Sequence, residues 1–196
     1  DGADELFGGY SHYEKILRIN SFLKYIPQKI QEKFSDIVLN AFPEDFKGSN
    51  WVNSLKFNYS NESPLVASYF NYGKRKKLLN QKDVSSTGFA EKLHIKIPAY
   101  ANDLIGRATR SDFLTYLPED ILVKVDRASM INSLEVRAPF LDFKIINFAF
   151  SKVPSSYKVN GKNKKILLQK YAKEILPESF SFGRKQGFSI PLNSWM

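Results

Sequence analysis

The residues best suited to chemistry stand at the start of the chain, where acidic side chains are followed by paired glycines in the stretch Asp1-Gly2-Ala3-Asp4-Glu5-Leu6-Phe7-Gly8-Gly9-Tyr10. If the chain is helical from Ala3 onward, Asp1 lies at the N-cap and Asp4 lies about one turn later on the same side. A helix start presents free N–H groups and the positive end of the helix dipole, so it can hold phosphate. Carboxylates beside it can hold the cation that a nucleotide brings. The ten residues alone favour a plainer interpretation, an acidic helix start that Asp1 only caps.

A pair of cations near the other end of the chain forms a second candidate group. Arg184 and Lys185 stand just before Gly187, which predicts a mobile, doubly charged loop. Guanidinium and ammonium groups stabilise the charge that develops on a phosphate during its transfer, so the loop suits a phosphate clamp. The alternative is ordinary surface charge.

A glycine pair interrupts the first predicted helix. Apolar residues recur at helical spacing from Ala3 to about Ile19, and Gly8 and Gly9 fall inside that pattern. Glycine costs roughly 1 kcal/mol relative to alanine inside a helix. The pair therefore indicates either a close approach of a backbone or ligand, or a plain kink, and the pattern leaves both open.

The composition excludes several kinds of site and suits an anionic partner. The chain has 196 residues, 43% of them hydrophobic, which is enough for one ordinary domain with a core. It has no cysteine and two histidines, which excludes disulfides and thiolate metal sites and argues against a histidine zinc site. A net charge of +9 fits nucleotides, phosphorylated substrates, nucleic acid or an acidic neighbouring domain. There is no signal peptide and no apolar run of about 18 residues, so we expect no membrane span and a cytoplasmic location.

Two basic stretches need a separate interpretation. The run Lys74-Arg75-Lys76-Lys77 has no glycine-rich or stacking-aromatic pattern beside it, and such runs are usually solvated helix faces. Lys158 to Lys165 is predicted to form a basic loop around Gly161. We therefore expect no nucleic-acid partner.

Periodicity predicts a mainly α-helical chain with no convincing strand. After the first helix, the predicted segments run from Pro27 to about Ala41, Leu65 to Phe70, Ala99 to Tyr116, Pro118 to Met130, Asp142 to about Phe150 and Ile166 to Leu176. One face of the second helix carries Ile30, Phe34, Ile37 and Val38. On the Pro118 helix, the side chains predicted to point inward are Leu122, Val125, Ser129 and Met130, and those predicted at the surface are Lys124, Asp126 and Arg127.

The stretch from Ser133 to Asp142 alternates charged and apolar residues and then turns at Pro139. In an extended backbone Glu135 and Arg137 point to the same side. We expect them to form a buried ion pair that locks the turn, and we expect Asp142 to cap the helix that follows.

Four blocks of sequence, taken together and in order, closely resemble the C-terminal half of the synthetase domain of glutamine-hydrolysing asparagine synthetases. The blocks are Gly2 to Tyr10, Tyr116 to Met130, Ser133 to Asp142, and Arg184-Lys185-Gln186-Gly187-Phe188. Any one block is weak, but their order and spacing resemble those of the family, and the resemblance runs from Asp1 to Trp195. Residues 1–196 therefore resemble the C-terminal portion of an asparagine synthetase-type domain.

The resemblance implies that the whole domain has an α/β pyrophosphate-loop fold of the adenine nucleotide α-hydrolase type, of which this chain is the mainly helical C-terminal part. It implies a parent enzyme in which a glutaminase domain releases ammonia from glutamine. The synthetase domain of such enzymes uses ATP and Mg²⁺ to adenylate the side chain of aspartate, and ammonia then displaces AMP to give asparagine.

This chain contains neither the glutaminase domain nor the Ser-Gly-Gly-x-Asp-Ser loop with which the family cradles phosphates. Its abrupt start inside a motif indicates a piece of a longer protein. We therefore expect the chain to be inactive alone and to act together with upstream domains of the same protein, and a homodimer is left open.

The resemblance also implies roles for single residues. Asp4 matches the family's magnesium-binding aspartate, and Lys185 matches the lysine that approaches the α-phosphate during adenylation. Asp1 matches a position that is often glutamate and lies against the substrate or the ammonia; aspartate is one carbon shorter, which puts the substrate in doubt. Arg184 is expected to assist Lys185, and Gly2 is grouped with Arg184 as a contact to ATP or substrate.

Two other functions stay open. Relatives of these enzymes amidate a different carboxylate, for instance on a cell-surface polysaccharide, or close a lactam. A non-catalytic basic helical module that binds nucleic acid or a protein partner is an alternative of another class.

Overall fold

The computed structural model of the chain describes residues 1–43, 46–62, 75, 78–79 and 103–180. Strands are absent from these residues, so the prediction of a mainly α-helical chain is confirmed for them. The α/β pyrophosphate-loop fold of a whole domain stays a prediction. The helices, in chain order, are α1 (Ala3–Phe7), α2 (Ser11–Leu23), α3 (Gln28–Ala41), α4 (Ser49–Ser54), α5 (Leu104–Leu114), a π-helical turn (Leu117–Leu122), α6 (Val123–Met130), a 3-10 turn (Pro139–Leu141), α7 (Phe143–Ser151), α8 (Ser155–Lys158) and α9 (Ile166–Ile175).

The short helix α1 is the element on which the others converge, because it contacts α5, α7, α8 and α9. Leu6 and Phe7 of α1 are buried together with Ala149 and Val153. The Phe7 ring meets the Phe140 ring edge-on, with the two centroids 6.0 Å apart. Burial of a large apolar side chain contributes about 1.5–3 kcal/mol, so these contacts fix α1 in place although the helix is too short to be stable alone.

A second core lies between α2 and α5. Tyr13 and Ile16, three residues apart on α2, are buried with Ile105 and Ala108, three residues apart on α5. Residues at this spacing share one face of a helix, so each helix gives the other an apolar stripe.

The first helix is shorter than predicted. α1 ends at Phe7 because Gly8 has a φ of 72°, a left-handed conformation that closes helices and that glycine adopts without strain. α2 begins only at Ser11. The continuous helix predicted from Ala3 to about Ile19 is therefore wrong.

Helix α3 has nearly the predicted span, with Pro27 as its N-cap, but its apolar face points to solvent. Its buried side carries Gln31 and Ser35, whose side chains donate hydrogen bonds to backbone carbonyls of the α2–α3 turn and of α4. On the apolar face, Ile30, Phe34 and Ile37 are each between 56% and 59% exposed. The polar side of α3 is thus the side that the neighbouring backbone holds.

The inward stripe predicted on the Pro118 helix is confirmed only in part: Leu122, Val125 and Ser129 are half-buried, and Met130 lies in solvent. No residue of α6 is buried, and Met130 is 57% exposed. Among the described residues the main contact of α6 is with the preceding π-helical turn, so the stripe is covered only in part. Asp126 and Arg127 are exposed, as predicted.

The ion pair between Glu135 and Arg137 forms, but its predicted burial is wrong. The Glu135 side chain is 71% exposed, and the Arg137 side chain is 86% exposed. Their shared direction follows from the extended backbone, and they stay in solvent because the neighbouring Leu134 and Val136 are uncovered too.

The ends of α7 and α9 were predicted well. Asp142 caps α7 by accepting a hydrogen bond from the Lys144 N–H at 2.8 Å, and α9 ends just before Pro177. The predicted helix from Leu65 to Phe70 and three of the four cations at 74–77 lie outside the described residues. In the part of the chain that the structure describes, no helix is both long and apolar enough to cross a bilayer.

Candidate functional site

The start of α1 is capped by Gly2 rather than by Asp1. Gly2 has a φ of 87°, and no side chain accepts a hydrogen bond from the first turn. A Cβ on Gly2 would lie 2.5 Å from Leu141 Cδ2, so the 3-10 turn packs directly on the cap. The prediction that Asp1 caps α1 is wrong because the left-handed backbone of Gly2 stands between Asp1 and the helix, and Asp1 is exposed.

Asp4 forms an ion pair with Lys165 across the fold. Lys165 Nζ lies 3.0 Å from Asp4 Oδ1, and the side chains of Asp4 and Lys165 are 20% and 23% exposed. Lys165 is the N-cap of α9 and has a φ of 50°, a left-handed conformation that costs a non-glycine residue about 1–2 kcal/mol. Such strain persists where the surroundings demand it and clusters at functional sites, so Lys165 is a candidate site residue.

Gly9 makes the approach of Lys165 to Asp4 possible. A Cβ at this position would lie closer than 3.0 Å to both Asp4 Oδ1 and Lys165 Cε. The neighbouring Gly8 lies against α8, where its Cβ would meet the Lys158 Cβ at 3.3 Å. The two glycines therefore mark close contacts, and Gly8 also interrupts the helix, so both interpretations that the sequence left open apply here.

A partly buried hydrogen bond, between Tyr10 and Glu5, lies beside Asp4. The Tyr10 hydroxyl donates to the carboxylate of Glu5, which is buried in α1. Burial, followed by this carboxylate, raises the pKa of Tyr10 above its ordinary value, so Tyr10 stays a neutral donor. The Tyr10 ring stacks on His12 and meets Tyr116 edge-on, with centroids 5.5 Å and 5.7 Å away.

Asp112 of α5 ties α2 to the same region. Its Oδ2 accepts a hydrogen bond from the Tyr13 hydroxyl at 2.6 Å and lies 2.9 Å from His12 Nε2. Burial and then the Asp112 charge raise the pKa of Tyr13, which keeps that phenol protonated as a donor. Two consecutive residues of α2 thus hold one carboxylate of α5.

Lys158 was predicted to lie in a basic loop, but the structure buries it at the end of α8. Its side chain is 2% exposed, and its Nζ lies 4.8 Å from the centre of the Phe150 ring. The Arg110 guanidinium lies 4.6 Å from that ring centre. Burial and then the nearby Arg110 charge lower the pKa of Lys158 to about 8. The loop that follows carries its other lysines nearer the surface.

The donor set at Asp4 limits the kind of metal that it can hold. Among the described residues no three histidine or carboxylate side chains are grouped around a common point. Mg²⁺ in proteins commonly takes one or two carboxylates, with waters and substrate phosphates completing the shell. Asp4 therefore fits a Mg²⁺ ion that arrives with a nucleotide, and the described side chains do not fit a metal that they would hold without one.

The structure places three of the five site residues predicted from sequence. Gly2 and Asp4 belong to α1 and its cap, and Asp1 precedes them. Arg184 and Lys185 lie outside the described residues. Lys165 was missed as a site residue, because no local pattern pairs it with an acid so distant in the chain; its place in a basic loop before a helix was the only signal.

Comparison with known proteins gives a consistent match. The asparagine synthase family model matches residues 1–196. The chain is 32% identical over 203 residues to glutamine-hydrolyzing asparagine synthetase 1 of Bacillus subtilis, covering all of this chain and 30% of that protein. It is 28% identical over 116 residues to glutamine-hydrolyzing asparagine synthetase 3 of the same organism, covering 57% of this chain and 19% of that protein. The chain thus spans about 30% of the length of the first of these relatives. No solved structure matches the chain significantly.

Proposed function

The chain belongs to the asparagine synthase family, and we propose that it is part of an ATP-dependent ligase that adenylates a carboxylate and aminates it with ammonia derived from glutamine. The proposed substrate is aspartate, and the proposed products are asparagine, AMP and pyrophosphate. The observation that carries the proposal is the Asp4–Lys165 pair, which brings a distant cation to the acid of the first of the four blocks that resemble these synthetases.

Asp4 is the residue that would hold Mg²⁺ in this proposal. Its carboxylate is fixed on α1 and oriented by the close approach of Gly9 and Lys165. When bound, the ion would neutralise charge on the nucleotide phosphates and on the departing pyrophosphate.

Two lysines would contact phosphate oxygens. Lys165 holds its ammonium beside Asp4, and its backbone begins α9, whose free N–H groups add positive potential. Lys185, with Arg184 assisting, would stabilise the negative charge that builds on the α-phosphate as a carboxylate oxygen of the substrate attacks it. The bond between the α-phosphorus and the oxygen that joins it to the β-phosphorus breaks, and pyrophosphate leaves with that oxygen.

Asp1 would lie on the substrate side of the site. In the second step ammonia attacks the acyl carbon. AMP leaves with the oxygen that joined this carbon to phosphorus, and the nitrogen must lose a proton. A carboxylate such as Asp1 suits that position as an acceptor for the ammonia protons. Gly2, whose Cβ position is filled by Leu141 of the 3-10 turn, would contact the substrate or the nucleotide through its backbone.

A pyrophosphate-release assay tests the proposal. The whole protein that carries this chain would be incubated with ATP, Mg²⁺, ammonia or glutamine, and a panel of carboxylic acids, with the amide product identified by mass spectrometry. We expect release that depends on aspartate and yields asparagine. Release with a different acid alone would replace the substrate, and no release with any acid would contradict adenylation.

Two variants and a control sharpen the assay. We expect Lys185→Ala and Asp4→Asn to lower aspartate-dependent pyrophosphate release by at least about 100-fold while glutaminase activity is kept, since each removes charge needed only for phosphoryl transfer. Asp36→Asn changes an exposed surface acid of α3 that pairs with Lys56, and it should retain activity.

A further inference from the structure

The Asp4 carboxylate is already neutralised by a cation of its own chain. Lys165 Nζ lies 3.0 Å from Asp4 Oδ1, and both side chains are mostly buried. Lys165 keeps this position although its backbone has a φ of 50°. The pair lies so close to Gly9 that no larger residue would fit at position 9. The pair is thus a constrained feature of the fold rather than a mobile surface contact.

This pairing opposes the binding of a free divalent cation. An ammonium beside the carboxylate repels a second cation and occupies one of the oxygens that a metal would use. Mg²⁺ loses its waters reluctantly, and no group of three or more metal-ligating side chains occurs among the described residues to replace them. Free Mg²⁺ is therefore expected to bind weakly at Asp4.

A nucleotide changes this balance because its phosphates attract the ammonium. Lys165 begins α9, so a phosphate at that helix end would meet both the lysine and the free N–H groups of the first turn. Movement of the Lys165 ammonium from Asp4 Oδ1 to a phosphate oxygen would expose the carboxylate charge to the cation that the nucleotide carries.

We propose that Lys165 exchanges between Asp4 and the nucleotide phosphates, so that Asp4 accepts a divalent cation only together with nucleotide. The proposal rests on the proposed function, because it needs a nucleotide at this site. It makes metal and nucleotide binding positively coupled, and each ligand must then raise the affinity for the other by the same factor.

Metal titrations of the whole protein test the exchange without measuring activity. Mn²⁺ serves as the probe, followed by its electron paramagnetic resonance signal with and without a non-hydrolysable ATP analogue. We expect the wild-type protein to bind Mn²⁺ at the Asp4-dependent site only with the analogue present. Lys165→Met should bind Mn²⁺ alone at least about fivefold more tightly than the wild type, the effect of removing a partly buried ion pair, and should lose most of the coupling.

Matched variants assign the effect to the pair. Lys162→Met removes a cation from the exposed part of the same loop and should behave like the wild type. Lys165→Arg keeps the charge and should still exclude the free metal. Asp4→Asn combined with Lys165→Met should abolish the gain in Mn²⁺ affinity.

The outcomes separate this inference from the proposed function. Analogue binding with equal Mn²⁺ affinity in Lys165→Met and wild type overturns the exchange and leaves the ligase proposal intact. If Lys165→Met does not fold, Asp4-dependent Mn²⁺ binding by the wild type without the analogue overturns the exchange just as well. A wild-type protein that binds no analogue at all overturns the proposed function, and the exchange with it.

Discussion

Gly9 sets the distance between the two charged groups of the candidate site, because it has no side chain to hold them apart. Asp4 Oδ1 and Lys165 Cε both lie in the space that a Cβ would occupy. Gly9 has no positive φ, so alanine meets no backbone strain there and only the contact is tested.

We expect Gly9→Ala to separate Asp4 from Lys165. Overpacking of this kind costs about 1–3 kcal/mol in stability, and a displacement near 1 Å at a reacting centre costs about 100-fold in rate. The rate of aspartate-dependent pyrophosphate release should therefore fall by about 100-fold, while the thermal midpoint falls only by the amount that about 1–3 kcal/mol produces. Gly161→Ala is the matched control, since nothing lies within 4 Å of a Cβ there and both quantities should stay unchanged. Full activity in Gly9→Ala would contradict a role for the pair.

Lys158 makes stability depend on pH in a direction that can be worked out. Burial, and then Arg110, lower the pKa of Lys158 from 10.5 in a solvated lysine to about 8. Below pH 8 the lysine is charged in both the folded and the unfolded protein, and the folded protein carries the full free-energy cost of burying the ammonium. Between about pH 8 and 10.5 the unfolded chain holds a proton that the folded chain has lost, so this group makes stability rise with pH.

Replacement by methionine should remove that dependence. We expect Lys158→Met to be more stable than the wild type at pH 7, by up to about 3 kcal/mol, with a gap that closes as pH approaches 10.5. The measurement is the thermal midpoint of both proteins across this range, with the exposed Lys162→Met as the control that shows no such trend. A gap that is constant with pH would mean that the ammonium is solvated in the folded protein.

At the scale of elements, the cap of α1 and the 3-10 turn hold each other. Gly2 has both a left-handed backbone and Leu141 at 2.5 Å from where its Cβ would be. Gly48 has a φ of 108° at the N-cap of α4, yet nothing lies within 4 Å of its Cβ position. The two glycines therefore share a left-handed backbone, which would strain any other residue, and differ in their contacts.

This difference predicts unequal costs for the same substitution. Gly48→Ala should cost about 1–2 kcal/mol, the strain of a left-handed alanine. Gly2→Ala should cost about 1–3 kcal/mol more, because Leu141 and the turn must move. Thermal unfolding of the two variants measures the difference. Equal midpoints would show that the turn does not pack on the cap.

The elements also show which features the sequence could predict. The cap of α7 by Asp142 and the end of α9 near Leu176 were predicted well, because caps and helix stops such as Pro177 are local signals. The glycine pair indicated a kink as one possibility, but helical periodicity continues across it, and only the backbone dihedral of Gly8 shows that α1 ends there. Lys165 was missed as the partner of Asp4, because an ion pair between distant segments leaves no pattern in the sequence. The stripe of α6 was read from periodicity, which says which residues share a face but not whether a neighbouring surface covers that face.

At the scale of the whole molecule, the chain holds only some of the parts that a nucleotide site needs. It spans about 30% of the length of its Bacillus subtilis relative. Asp4 and Lys165 supply one acid and one cation, and Lys185 is a further cation proposed for the site. The sequence has no Ser-Gly-Gly-x-Asp-Ser loop, so it lacks the backbone N–H groups that would hold the phosphates in line for attack.

We therefore expect the purified chain of residues 1–196 to release no pyrophosphate from ATP with any carboxylic acid. Adenylation needs the α-phosphate held against the attacking oxygen, and two or three side-chain charges cannot provide that positioning without the loop, which is worth several orders of magnitude in rate. The measurement compares the chain with the whole protein at equal concentration, and circular dichroism first establishes that the purified chain is helical. The Asp4→Asn form of the chain is the matched blank. Aspartate-dependent release by the chain above that blank would contradict the prediction, and it would mean that residues 1–196 contain a complete adenylation site.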